Sequence, residues 1–188
     1  MAKTGVKFLT IAPITSYADG AKPVYGEKVS VEYTVSLNIN FEYASAEMYG
    51  DDMLRESDRG MTGYSIAGSL TDLNPEVCAV ALGWKKGSDN SYSITDANPP
   101  YVGGGYVTNG MVNGVRYYEG VRFYRAQFTK DAMNASTKER NVTFNADDIT
   151  GTGMGVILDD SGAQTFVQIE RFAAESDAKD FSVGHLTA

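Results

Sequence analysis

The stretch VSVEYTVSLNINFEY, which runs from Val29 to Tyr43, decides the fold of this chain. Its odd positions are all apolar, and its even positions are all Ser, Glu, Thr or Asn. A period of two is typical of a β-strand with one face on a core and the other in water. Because most strands have only about 3–10 residues, this alternation predicts one unusually long strand.

A second alternating stretch, Thr62–Leu70, follows in the sequence and predicts a return strand. Tyr64, Ile66 and Leu70 share its apolar face. The polar positions of both strands should form one solvent face without Lys or Arg, which suits a wetted surface better than a ligand site. An ordinary solvent face of a β-sheet is the alternative. The predicted face consists of Ser30, Glu32, Thr34, Ser36, Asn38, Asn40, Glu42, Ser65 and Ser69.

The segment between these strands, residues 44–60, is predicted to be a loop. It is long for a hairpin connection, and loops of that length are often functional. Its apolar residues argue against plain disorder, and its mixture of Tyr, Met and Arg suits protein–protein contacts. A solvated loop without a partner is the alternative. We expect a protein–protein interface at Glu47, Met48, Tyr49, Asp51, Asp52, Met53, Arg55 and Arg59.

The composition fits a mainly β protein with a single domain over residues 1–188. Twenty Gly and twelve Tyr among 188 residues suit many strands joined by tight turns. We expect residues 173–188 to form a peripheral extension, in which a short helix near 176–181 is a weak signal. The formal net charge of −8 argues against a nucleic-acid-binding protein, because phosphate binding normally needs a basic patch.

One helix is predicted over Asp72–Gly83. Asn74 can cap its N-terminus, Pro75 suits the first turn, and Gly83 can end it. Val77 and the apolar residues at helical spacing after it should dock on the sheet.

A later hairpin is predicted around Asn113-Gly114, a dipeptide that favours a tight turn. Gly103–Gly105 in its first strand could cradle a phosphate, but they do not lie between a strand and a helix, so a bulge or a close backbone approach is the better interpretation. Arg116, Arg122 and Arg125 in its second strand do not share one face. We expect them to pair with acidic groups of a neighbouring subunit.

The chain lacks the residues that most catalytic sites need. Its single His and single Cys cannot form a zinc site or a disulfide, and a Ser-His-Asp triad is improbable. Its adjacent Asp pairs fall in turn-like contexts, where Asp is expected. We therefore predict no enzyme, no metal and no cofactor. We expect no signal peptide, and because no apolar run reaches about 20 residues we expect no membrane partner.

Four segments in this order are similar to major tail proteins of long-tailed bacteriophages. They are Ala46–Asp52, Leu73–Gly83, Pro100–Tyr106 and the pair Asn113–Tyr118 with Phe123–Phe128. Thr137-Lys138 and the strand through Phe144 also fit. The resemblance runs from about Gly5 to Leu158. It departs from the family pattern at Lys138-Glu139-Arg140, where Lys-Gly-Glu is usual, and at Asn145-Ala146, where Thr-Pro is usual.

The resemblance implies a tail-tube-type β-sandwich, forming a partly closed barrel, with one short flanking α-helix and a long β-hairpin. It also implies hexameric rings that stack into a hollow tube, with the polar face of the long strands lining the lumen. The tape measure protein and the genome DNA would occupy the lumen, and tail terminator and tip proteins would bind the ends. The protein would be assembled in the bacterial host cytoplasm and reside in the virion tail. The alternative function is a carbohydrate- or receptor-binding β-sandwich module, which Trp84 and the many Tyr keep open.

Overall fold

The computed structural model describes residues 3–50, 53–132 and 146–186. Within them the chain is mainly β, as predicted, and has two helices. The strands are β1 (Lys3–Ser16), β2 (Val24–Tyr25), β3 (Val29–Ser30), β4 (Thr34–Gly50), β5 (Met53–Leu70), β6 (Lys85–Lys86), β7 (Tyr92–Ser93), β8 (Tyr101–Val112), β9 (Val115–Thr129), β10 (Asp147–Gly153), β11 (Val156–Ile157), β12 (Gln164–Thr165) and β13 (Val167–Phe172). The helices are α1 (Pro75–Leu82) and α2 (Glu175–Gly184).

Nine of these strands form one antiparallel sheet. Seven follow the order β2-β1-β8-β9-β10-β5-β4, while β3 pairs with β1 and β13 pairs with β9. The sheet curls enough for β1 to contact β4 across the core. It is nevertheless open, because β4 pairs only with β5 among the described strands. The expected partly closed barrel is therefore an open, curled sheet.

The predicted strand Val29–Tyr43 is broken by a change of partner. Residues 29 and 30 pair with β1, whereas β4 pairs with β5. Between the two, Tyr33 has a φ of 59°, a left-handed conformation that interrupts a strand. Thr71 donates its amide to the Tyr33 carbonyl at 3.0 Å, which fixes the break beside the end of β5. Alternation alone did not reveal it, because the side-chain pattern continues through the break.

The prediction of a loop over residues 44–60 is wrong, because the described backbone of this segment forms strands. Both arms are strand, and the pairing runs from Tyr43 opposite Met61 out to Gly50 opposite Met53. The hairpin of β4 and β5 is therefore far longer than the sequence pattern indicated. Asp51 and Asp52, between the two arms, lie outside the described residues.

The main core lies between the curled sheet and α1. Tyr64 and Ile66 of β5 are 0% and 1% exposed, as the alternation of that strand predicted. Helix α1 begins as predicted: Asn74 Oδ1 accepts a hydrogen bond from the Glu76 amide at 2.9 Å. It ends at Gly83, whose φ of 73° suits a residue without a Cβ. Val77 is buried against the sheet.

A second helix, α2, packs across β8 and β9. The predicted fold had one flanking helix, but α2 covers the short helix signalled near residues 176–181. A Cβ at Gly105 would collide with the Ser182 carbonyl, and a Cβ at Gly120 with the Ala178 carbonyl. The glycines of this hairpin therefore allow close approach of a helix, which confirms the prediction of a close backbone approach. The predicted turn also forms, because Asn113 and Gly114 have φ values of 50° and 79°.

Strand β10 was not predicted. It begins at Asp147 and Asp148, an acidic pair that suggested a turn. It lies between β5 and β9 and hydrogen-bonds to both. Its partners on either side, rather than its own β propensity, hold it extended.

Candidate functional site

A polar surface extends across four neighbouring strands, β4, β5, β10 and β9, on the side opposite the core. Directly opposed residues of antiparallel strands project from the same face, so the pairing registers define this surface. It begins with Ser36 of β4 opposite Ser69 of β5, which in turn pairs with Asp148 of β10. Two further rows cross all four strands: Asn38, Ala67, Thr150 and Thr129, then Asn40, Ser65, Thr152 and Gln127.

Small neutral side chains dominate this polar face. Thr129 and Thr150 share a hydrogen bond of 3.2 Å between their hydroxyls. Its charged members within the described rows are Glu42, opposite Gly63, and Asp148, and both are exposed acids. The face therefore presents hydroxyls, amides and two carboxylates to solvent, with no convergent donor set that would hold a ligand.

Six of the predicted face residues lie together on this surface. Ser30 and Glu32 are exposed but precede β4, beyond the break at Tyr33. Thr34 does not share the face: it lines an interior cavity with Leu37, and its Oγ1 is buried. The six residues on the face are Ser36, Asn38, Asn40, Glu42, Ser65 and Ser69.

Sequence reasoning missed the half of the polar face that β9 and β10 supply. Thr150 and Thr152 alternate with buried residues in β10, so a period of two was present there. Gly151 and Gly153 at the buried positions concealed it, because glycine adds no apolar signal. Gly153 is required there, since a Cβ would overlap the ring of Tyr64.

Beyond the polar face, the outer part of the β4–β5 hairpin leaves the body of the protein. Tyr43 is 63% exposed, and the three residues after it are exposed on both faces of the strand. Of the predicted interface residues, Arg59 is exposed and pairs with Ser45. Glu47, Met48, Tyr49 and Met53 lie in the paired backbone of the two arms, and Arg55 lies in β5 at an irregularity of the pairing. Asp51 and Asp52 fall outside the described residues.

A comparison with protein families identifies the family of this chain. The family model described as phage tail tube protein matches residues 22–187, which is most of the chain. The chain belongs to the phage tail tube protein family. It is therefore a structural protein of a virion tail that assembles into a tube. A search of curated proteins gives no match.

Two arginines of β9 in this tail tube protein, Arg122 and Arg125, contact its own aromatic rings. The Arg122 guanidinium lies 3.5 Å from the ring centre of Phe181 in α2. The Arg125 guanidinium lies 4.1 Å from the ring centre of Tyr101, at the margin of the polar face beside Gln127. Stacking of this kind fixes a cation within its own subunit. The expectation that Arg116, Arg122 and Arg125 pair with acidic groups of a neighbouring subunit stays a prediction.

The thiol of Cys78 is buried in this tail tube protein. Burial raises the pKa of the Cys78 thiol to about 11, so the thiol stays protonated, as a packing residue would. Trp84 is half-buried and packs against the main core. No cluster of potential metal ligands occurs among the residues that the structure describes. Within the same ranges, no helix has the length and apolarity to cross a bilayer.

Proposed function

We propose that six copies of this chain close into a ring, that rings stack into a hollow tube, and that the polar face lines the lumen through which DNA passes. The observation that carries the proposal is the four-strand polar face itself. It is broad, almost neutral and backed by the core, as the inner surface of a conduit must be. Membership of the phage tail tube protein family supports the parts of the proposal that concern the tail and the tube.

The dimensions support a lumen of useful width. Six copies with four strands each make a barrel of 24 strands. With a strand spacing of about 4.8 Å and a tilt of about 40°, its backbone diameter is roughly 48 Å. Side chains as small as Ser, Thr and Asn reduce this diameter only modestly, which leaves room for a DNA duplex.

The charge of the face supports passage without binding. DNA affinity arises mainly when Lys or Arg neutralises phosphates and releases counterions. The rows of the polar face hold no lysine, and Glu42 and Asp148 repel phosphates. Arg125 at the margin is stacked on Tyr101 and Tyr17, which limits its reach.

The outer hairpin supplies the contacts between subunits or rings in this proposal. A strand pair exposed on both faces gains little stability from its own burial, so a neighbouring copy is its natural partner. The tape measure protein and genome DNA would occupy the lumen, and terminator and tip proteins would cap the ends. Assembly would take place in the host cytoplasm.

Electron microscopy of the concentrated, purified chain tests the proposal. We expect hollow tubes of uniform diameter with six-fold symmetry in end views and in averaged cross-sections. Solid fibres, or a monomer at every concentration, would contradict it. Hollow tubes with another symmetry would contradict the hexamer but not the proposal of a tube.

A further inference from the structure

The β4–β5 hairpin loses the support of the sheet at one sharply defined level. Strand β10 pairs with β5 only as far as Gly153, which lies opposite Tyr64. From Gly63 toward the tip, β4 is the partner of β5 among the described strands. A two-stranded ribbon is only marginally stable by itself, so it resists bending less than the sheet from which it emerges.

A β-bulge lies directly beyond this level. Glu42 pairs with Gly63 and Tyr43 pairs with Met61, so Thr62 is an extra residue of β5 with no opposite residue in β4. The Thr62 hydroxyl donates a hydrogen bond of 3.3 Å to the Glu42 carbonyl. A bulge interrupts the hydrogen bonds of the ladder, bends its strand and increases the local twist. The ribbon is therefore irregular where the support of β10 ends.

The residue pair beyond the bulge is Ala44 opposite Gly60. A Cβ added at Gly60 would meet no described atom within 4 Å, whereas a Cβ at Gly153 would overlap the ring of Tyr64. The φ of Gly60 also lies outside the left-handed region that favours glycine. Neither packing nor backbone conformation within the described subunit therefore requires glycine here. A glycine inside a strand weakens it, because it has more conformational freedom and no side chain to pack.

We propose that residues 42–44 and 60–63 form a hinge, about which the outer part of the β4–β5 hairpin swings relative to the body of the subunit. Three separate features coincide there: the end of the pairing with β10, the bulge, and a glycine that packing does not require. Tyr43 is 63% exposed and Ala44 is exposed as well, so packing on either face does little to hold the angle. Hinges are typically a few positions that absorb the change in backbone dihedral angles.

The role of this hinge rests on the proposed function. If the outer hairpin contacts neighbouring copies, a hinge at its base lets those contacts persist while the angle between two bodies changes. Such changes of angle occur whenever a tube of stacked rings bends. The hinge therefore contributes to the bending of the tube without loss of contacts between its subunits.

Distances between two spin labels on the monomer test the hinge directly. One label is attached at Ser57→Cys, in the outer part of β5 opposite Glu47, and the other at Ile169→Cys, in β13 of the body. Ile169 is 53% exposed, whereas Cys78 is 1% exposed and should stay unlabelled. We expect pulsed electron resonance on a dilute sample to give a broad distribution of distances.

Two further changes to the labelled chain stiffen the hinge in different ways. Deletion of Thr62 removes the bulge but keeps Glu42 opposite Gly63 and Tyr43 opposite Met61. Gly60→Val adds a β-branched side chain in open space. Each change should reduce the width of the distance distribution by about half, because it restores a regular ladder or removes the freedom of glycine.

The matched control is Ala46→Val, which raises β propensity in the outer part of the hairpin beyond the hinge. It should leave the width of the distribution unchanged. Equal widths in the starting chain and in both stiffened variants would overturn the proposal. An equal narrowing by Ala46→Val would also overturn it, because the ribbon would then bend along its whole length. If the deletion of Thr62 prevents folding, Gly60→Val decides by itself.

The tubes provide a second measurement. Tubes of Gly60→Val should be straighter than those of the unmodified chain, with a persistence length in electron micrographs that is at least about twofold greater. Tubes that bend equally would overturn the role of the hinge in the tube. If the unmodified chain forms no hollow tubes, the proposed function is contradicted, while the distances in the monomer still decide whether the hinge exists.

Discussion

The inner and outer halves of the β4–β5 hairpin differ in what holds them. In the inner half, Tyr64 and Ile66 are buried while Asn38 and Asn40 face water. In the outer half, Tyr43 is 63% exposed and Arg59 is exposed as well. One continuous pair of strands thus belongs to two environments. The inner half is held by the core of its own chain, and the outer half has surface to offer to another copy.

Removing the outer half should have the largest effect on assembly. We expect deletion of Met48–Arg59 to abolish tubes in negative-stain images, because the contacts between copies are lost. The free energy of unfolding of the monomer should change by less than about 1 kcal/mol, since Tyr43 and Arg59 in the two arms are exposed. Tubes of normal length from this variant would show that the outer half is dispensable.

Truncating one tyrosine in each half separates stability from assembly. Tyr64 is fully buried, and its hydroxyl donates to the Arg125 carbonyl at 3.1 Å. Tyr64→Ala should lower the free energy of unfolding by about 3–5 kcal/mol in urea titrations, whereas Tyr43→Ala should lower it by less than about 0.5 kcal/mol. If Tyr64→Ala does not fold, Tyr64→Phe should still cost about 1 kcal/mol for the lost hydrogen bond. Similar losses for Tyr43→Ala would contradict the comparison.

These differences also explain how far the sequence could be interpreted. Short-range signals were reliable: the Asn74 cap, the Gly83 end of α1 and the Asn113-Gly114 turn all depend on neighbouring residues. The alternation of β5 correctly assigned its buried face, because burial of that face depends on one core.

Features that depend on strand pairing were not predictable in the same way. The break at Tyr33 follows from a change of partner strand, and β10 is extended because β5 and β9 flank it. The outer hairpin lacks the alternation of a half-buried strand, so its sequence suggested a loop. The polar face was found only in part because its β10 rows are backed by Gly151 and Gly153, which carry no apolar signal.

Acid should weaken the body of the protein rather than the hairpin. His185 packs edge-on against Tyr25 and Tyr124 at 5.6 and 5.5 Å between ring centres. Burial, and then the positive charge of Arg122, lower its pKa to about 4. The neutral ring therefore stabilises the fold fully above the unfolded pKa of about 6.5, and this contribution is lost as the pH falls toward 4.

The variant His185→Phe isolates that effect, because it keeps an aromatic ring and removes the titration. Between pH 7 and pH 4 the unmodified chain should lose on the order of 2–3 kcal/mol more stability than His185→Phe, measured by urea unfolding at each pH. Carboxylates common to both chains cancel in the difference. Parallel pH profiles would mean that His185 takes up its proton as readily in the folded protein as in the unfolded chain, and would contradict this prediction.

The smallest effect on stability, but the most direct test of the polar face, comes from adding positive charge to the inner half. Ser36→Lys with Asn38→Lys should leave folding and tube formation almost unchanged, because both positions lie on the solvent side of β4. Phage particles built from this variant should eject DNA more slowly, and the delay should shrink as salt rises, since phosphate contacts weaken with ionic strength.

A matched pair, Ser36→Gln with Asn38→Gln, controls for side-chain length without charge and should eject normally. Lysines at exposed positions outside the lumen should have no such effect, so Ile94→Lys serves as the surface control. If the lysine pair ejects at the normal rate in low salt, the polar face does not contact the DNA, and the inner half of the hairpin would have to face another surface of the tube. A delay confined to the lysine pair would instead mean that small neutral side chains at Ser36 and Asn38 keep the lumen from retaining the genome.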